Sequence, residues 1–169
     1  MRRVALALLI LAGCHRYEVP LDQWLWRLDG AWKQAPGRAD MRLARGTIIV
    51  FRNDHEYVEL HCWLLERADE TVYISSNSPR ITTVGDWQQN GGRIRATRKN
   101  IAVAPRFAGK IDPFCVPLVY TLSGKSVSGD ASGKGPGLYA PVTRLVAPDF
   151  EYYVKEARNS PLHCPAVSN

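Results

Sequence analysis

The sequence is short of long apolar runs. A membrane-crossing helix needs about 20 apolar residues, and the apolar run Val4–Leu11 near the N-terminus covers eight and ends long before that. Nothing after residue 14 is apolar for long enough to be a second candidate. The familiar catalytic signatures are missing as well. There is no Gly-x-Ser-x-Gly and no His-Glu-x-x-His. Gly129-Asp130-Ala131-Ser132-Gly133-Lys134-Gly135 fails as a phosphate loop, because only three residues separate its outer glycines and a glycine follows the lysine. An enzyme is therefore not expected, and no cofactor is called for. Nor is one charge sign in large excess, at a formal +6 with 22% charged and 46% apolar residues. That balance fits a folded globular domain.

What is present begins at the N-terminus. Arg2 and Arg3 precede the apolar run Val4–Leu11, the layout of a signal peptide. The following Leu11-Ala12-Gly13-Cys14 resembles the lipobox of bacterial lipoprotein precursors. The resemblance implies that the Cys14 thiol is acylated, that residues 1–13 are removed, and that Cys14 becomes the first residue of a membrane-tethered protein. Two or three acyl chains anchor firmly at about 0.8 kcal/mol per buried methylene. The other readings are an ordinary secretory signal, or a buried apolar segment opening a cytoplasmic domain. His15 stands where, in the best-understood sorting pattern of that family, an aspartate retains the protein in the inner membrane, so the outer membrane is favoured. A tether over residues 14–19 and one domain over residues 20–169 follow. Loss of Arg2 and Arg3 lowers the charge to +4. Nucleic acid is not expected as a partner in this compartment.

Cys62, Cys115 and Cys164 remain for an oxidising environment, which suggests one pair and one thiol. Cys115 and Cys164 sit in proline-punctuated stretches, Asp112-Pro113-Phe114-Cys115-Val116-Pro117 and Pro161-Leu162-His163-Cys164-Pro165. A Cys115–Cys164 disulfide is expected, with Cys62 buried and reduced.

Short alternating segments separated by turn residues run through the middle of the chain: 46–52, 56–65, 71–75, 81–88 and 93–99, with Asn90-Gly91-Gly92 the strongest turn. Probable strands at 30–34, 116–123 and 138–145 raise the count to eight. An antiparallel meander of eight tends to close, because closure removes exposed edges. Two helices are expected. Leu21, Trp24, Leu25 and Leu28 recur at helical spacing between Pro20 and Gly30, and Phe150, Tyr153, Val154 and Ala157 do so behind Asp149 as N-cap.

A short helix leading into Gly30-Ala31-Trp32, hairpin-joined strands and one C-terminal helix resemble the lipocalin-like barrels, in which Gly-x-Trp opens the first strand. Gly85-Asp86-Trp87, followed by a turn and a strand, is similar to a pattern in small lipocalin-like bacterial lipoproteins. The fold expected is thus mainly β, an antiparallel eight-stranded lipocalin-like barrel with a short N-terminal and a C-terminal helix. The resemblance implies that Trp32 lies across the closed end beneath a basic residue, for which Arg144 is the candidate.

Residues for binding follow from strand alternation. Val58, Leu60, Cys62 and Leu64 make an inward set, so Ile48, Val50, Val58 and Leu60 are expected to line any cavity for a small apolar ligand. Tyr57, Glu59, His61 and Trp63 then face outward, and Tyr57 and Trp63 offer a contact surface. Arg93 and Arg95 extend that surface as a basic strip with Lys99, facing lipid phosphates, an acidic protein or simply solvent. No metal site is expected, since His61 and Cys62 point to opposite strand faces. The function expected is non-catalytic binding at a membrane, with a small apolar ligand in the barrel. The alternative is an envelope protein-interaction module using the 57/63 face and a long loop over 123–137.

Overall fold

The computed structural model describes residues 21–75, 81–103, 115, 117–123, 126–129 and 137–165. Eleven strands precede one helix: β1 Leu25–Leu28, β2 Lys33–Ala35, β3 Arg38–Phe51, β4 Glu56–Arg67, β5 Val72–Ile74, β6 Ile81–Asn90, β7 Arg93–Val103, β8 Leu118–Ser123, β9 Ser126–Gly129, β10 Gly137–Pro141, β11 Leu145–Val146 and α1 Phe150–Arg158.

Eight of the strands close into an antiparallel barrel in the order β3-β4-β6-β7-β8-β9-β10-β1, with β1 returning to β3. Local chemistry drives the hairpins. The β3–β4 turn has His55 at φ 67° and the Asp54 carboxylate accepting the Glu56 N–H at 3.0 Å, while Gly91 at φ 59° turns β6 into β7. β3 and β4 are too long for the barrel. Their far ends, paired Met41↔Arg67 through Arg45↔Trp63, project beyond it and carry β2 on one side and β5 and β11 on the other.

Two apolar layers hold this together. The first fills the barrel and includes Leu25, Ile49, Phe51, Tyr57, Trp87, Ile94, Tyr120, Leu122, Val127 and Tyr139. The second lies outside the barrel wall. Phe150, Val154 and Ala157 of α1 cover Ile48, Val50, Val58, Leu60 and Val84, and Trp24 meets Phe150 with ring centroids 4.2 Å apart. Each such side chain removed from water contributes about 1.5–3 kcal/mol. Arg158 clamps the rim of the seat by donating to both Glu56 oxygens at 2.7 and 2.6 Å.

One bulge sets the interior. Val84 pairs with Asn100 but Gly85 pairs with Arg98, so Lys99 is the extra residue of β7. Ile94, Ala96 and Arg98 therefore turn inward, Asn100 outward to the Arg158 carbonyl, and Ile101 inward again. Gly85 permits this: a Cβ there would collide with the Thr97 carbonyl and crowd the Arg98 Cα.

Several expectations are corrected. The segment expected as an N-terminal helix is strand β1, because Leu25 is needed inside the barrel and β1 closes it between β10 and β3. The eight-strand count stands with different members, since β2 and β5 lie outside the barrel while β1 and β9 complete it. β9 falls within the stretch expected to be a loop, 123–137. α1 begins where expected, but Asp149 makes no side-chain capping bond. The basic group over Trp32 is Arg42, 5.5 Å from the ring, whereas Arg144 donates to the Asp69 carbonyl. The Cys115–Cys164 disulfide is present and Cys62 is buried outside it.

Candidate functional site

The middle of β4 carries a carboxylate into the barrel. Glu59 is fully buried, and Arg98, brought inward by the bulge, donates to its Oε2 from Nε at 2.8 Å and lies 2.6 Å away through Nη2. Nε2 of His61 is 2.9 Å from the other oxygen, and its Nδ1 is 3.2 Å from the Thr47 hydroxyl, which donates to Asp29 at 2.8 Å. A polar line thus runs from the buried Arg98 to the half-exposed Asp29 at one end of the barrel. Burial alone would raise the Glu59 carboxyl, but Arg98 and His61 beside it hold it at about 2, down from 4.5.

Aromatic rings occupy the space around this pair. The Tyr57 and Tyr120 hydroxyls are 2.5 Å apart, Tyr139 stands edge-on to Tyr120 at 6.0 Å, and Phe51 stands against Tyr57, Trp87 and Tyr120. Burial pushes all three tyrosine hydroxyls up, so they remain neutral. Trp87 donates its indole N–H to the Arg52 carbonyl at 3.0 Å. Arg27 lies 5.0 Å over the Tyr139 ring and pairs with Asp29 at 3.1 Å, covering that end.

The β3–β4 projection is built differently on its two faces. Ala44, Leu64, Glu66 and Val72 are buried on one, where Leu28, Trp26, Trp32 and Leu145 pack against the outer layer that includes Leu64 and Val72. The other continues the barrel's inner surface as the cross-strand pairs Arg45↔Trp63, Leu43↔Leu65 and Met41↔Arg67. Its apolar side chains are only half-buried, and Arg45 and Arg67 are exposed. The Arg45 guanidinium lies 5.0 Å over Trp63, and Arg67 lies 5.8 Å over Tyr73 while donating to its hydroxyl at 3.2 Å. Arg38, Met41, Leu65, Arg67, Tyr73 and Ile74 line a hollow of about 350 Å³.

These placements overturn the expected alternation. Ile48, Val50, Val58 and Leu60 do not line the barrel; they form its outer face beneath α1. Tyr57 is no contact surface, being wholly buried inside. Trp63 is half-buried on the inner side of the projection. The uniformly apolar set of β4 marks the face that a helix covers, and the polar set is inside, where Arg98 neutralises Glu59 and the Tyr57 hydroxyl bonds that of Tyr120. Arg93 and Arg95 are exposed, as expected, and Lys99 beside them is paired with Asp86. Sequence reasoning missed Glu59, Arg98 and Arg45. A glutamate set singly in an apolar strand was the available signal. Cys14 lies outside the described residues, among which no group of three metal-ligating side chains comes together. Compared with protein-family models, curated proteins and solved structures, the chain matches none.

Proposed function

We propose that this chain is a lipid-anchored envelope protein that works as a protein-interaction module, held at the outer membrane through an acylated Cys14. Neither catalysis nor carriage of a small apolar ligand is part of this reading. The observation that carries it is the occupant of the barrel. An eight-stranded barrel is just wide enough to be filled by side chains or to hold one small ligand. Here Tyr57, Phe51, Trp87, Tyr120 and Tyr139 surround a neutralised Glu59–Arg98 pair. Such an interior supports recognition at the outer surface.

Two measurements test the two halves of the proposal. Clickable fatty acid is expected to label the wild type in cells and not Cys14→Ser, which is left as uncleaved precursor or soluble protein. An unlabelled wild type removes the anchor. Crosslinking in intact cells is expected to capture one stoichiometric protein, whereas recovery of a small apolar molecule with the purified barrel would overturn the interaction reading.

A further inference from the structure

The inward-continuing face of the β3–β4 projection has three features of a docking strip. It is apolar along its middle, through Met41, Leu43, Leu65 and Trp63, all half-buried. It is cationic along its length: Lys33, paired in register with Leu43, lies beside it, with Arg38, Arg45 and Arg67. Among the described residues none of these four cations forms an ion pair. Arg42, on the opposite face, is by contrast paired with Glu66.

The arginines are also prepared for a particular ligand chemistry. A guanidinium stacked on an aromatic ring has its plane set by the ring, while its N–H edge remains available to accept a carboxylate in a two-bond fork. Arg45 lies over the Trp63 ring and Arg67 over the Tyr73 ring, Arg67 giving its Nη1 to the Tyr73 hydroxyl and keeping its other N–H groups. They lie at opposite ends of the strip, with the hollow lined by Met41, Leu65 and Ile74 among others at the Arg67 end. Arg45 lies four positions along β3 from Met41, the partner of Arg67. At about 3.3 Å per residue the charged ends are some 13 Å apart.

We infer that this face docks an acidic protein segment in extended form, with carboxylates about four residues apart and an apolar side chain between them that enters the hollow. The inference rests on the interaction reading above and assigns it a surface and a partner chemistry. A protein segment is favoured over a lipid surface because the cations bracket an apolar middle that includes a hollow lined by Met41, Leu65 and Ile74 together with Arg38, Arg67 and Tyr73. A bilayer meets projections, whereas a side chain can enter a hollow.

The test uses the full-length chain in detergent micelles and a fluorescent 12-residue peptide of three Asp-Ser-Leu-Ser repeats, which in extended form sets aspartates four residues apart with a leucine midway on the same face. Binding is expected, with a loss of about tenfold or more in Arg45→Glu/Arg67→Glu. Arg93→Glu/Arg95→Glu removes equal charge elsewhere and is expected to stay within about twofold. Should the first variant lose its cooperative melt, Arg45→Gln/Arg67→Gln takes its place. Absence of binding, equal binding of peptides with lysine for aspartate or serine for leucine, or equal weakening by both charge reversals overturns the inference. So does capture by phosphatidylglycerol vesicles that Arg45→Glu/Arg67→Glu abolishes, if the peptide does not bind. A photocrosslinker placed in cells at Leu43 or at the exposed Val119 separates this inference from the one it rests on. Capture of an acidic, apolar-studded segment at Leu43 supports it. Capture at Val119 alone overturns it and leaves the interaction reading standing, and capture at neither position overturns both.

Discussion

Glu59 and Arg98 meet inside the barrel 39 residues apart in sequence, with Nε of the arginine 2.8 Å from the carboxylate and both side chains almost wholly buried. Each charge is tolerable there only because of the other. Removing one partner of a buried pair costs about 3–5 kcal/mol, while replacing both by apolar groups of similar volume is often nearly neutral. Glu59→Leu and Arg98→Met are each expected to lower stability by that amount. The double variant should fall well short of their sum. Urea unfolding of the four proteins measures the coupling, and additive losses would contradict it.

The same pair sets an acid limit. The Glu59 carboxyl is held at about 2 against an ordinary 4.5, so its contribution to stability is complete above about pH 4.5 and is lost as pH falls toward 2. Urea midpoints are expected to decline through that window. In Glu59→Gln the decline should be shallower, since among the described residues the other acidic group with a lowered value, Asp69, is exposed.

Gly85 is expected to be intolerant of alanine. The added methyl would meet the Thr97 carbonyl and the backbone of Arg98, neither of which can move without undoing the bulge. A loss of about 2–4 kcal/mol by urea unfolding is expected, of the size usual for overpacking a close contact. Gly91, at φ 59° with open space around its Cβ position, should cost only about 1 kcal/mol through backbone strain on substitution by alanine.

Undocking α1 should expose the outer layer and leave the barrel closed. Val154→Asp places a charge in the apolar layer that also holds Ile48, Val50, Val58 and Leu60. The expected result is increased binding of an apolar dye together with an unchanged far-ultraviolet strand signal. If those four residues lined the barrel instead, the variant would leave dye binding unchanged.

The disulfide ties Cys115 to a C-terminal strap that also bonds β7, through Cys164 N–H to the Lys99 carbonyl at 2.7 Å and His163 to Asn100 at 2.9 Å. Closing a loop with a sequence separation of 49 residues stabilises the fold by about 4 kcal/mol in the chain-entropy description. Cys115→Ala/Cys164→Ala is expected to lose about 4 kcal/mol of stability in urea unfolding, and reductant should then have no further effect. Cys62 is expected to react with a maleimide only after unfolding, since it lies beneath the α1 layer.

Much of this architecture was legible along the chain. The turn residues at 53–54 and 90–92, the alternation between them and the spacing of Phe150, Val154 and Ala157 are local properties, and local chemistry sufficed to place β3, β4, β6, β7 and α1. The proline-flanked Cys115 and Cys164 were similarly readable. Leu21 to Leu28 was not, because a tryptophan-rich amphipathic stretch suits a helix and becomes β1 only when the edges of β10 and β3 are both waiting for it.

What the sequence by itself determined is β3, β4, β6, β7, the closing helix and the proline-flanked cysteine pair, each read from neighbours a few residues away. Which face of each strand is the inside was decided by tertiary structure alone. Alternation says only that Tyr57 and Val58 point to opposite sides. The helix that returns over Val58, and the bulge at Lys99 that delivers Arg98 to Glu59, come from elsewhere in the chain. With the outer face covered and the inner carboxylate neutralised, the ordinary equation of polar with outward reverses.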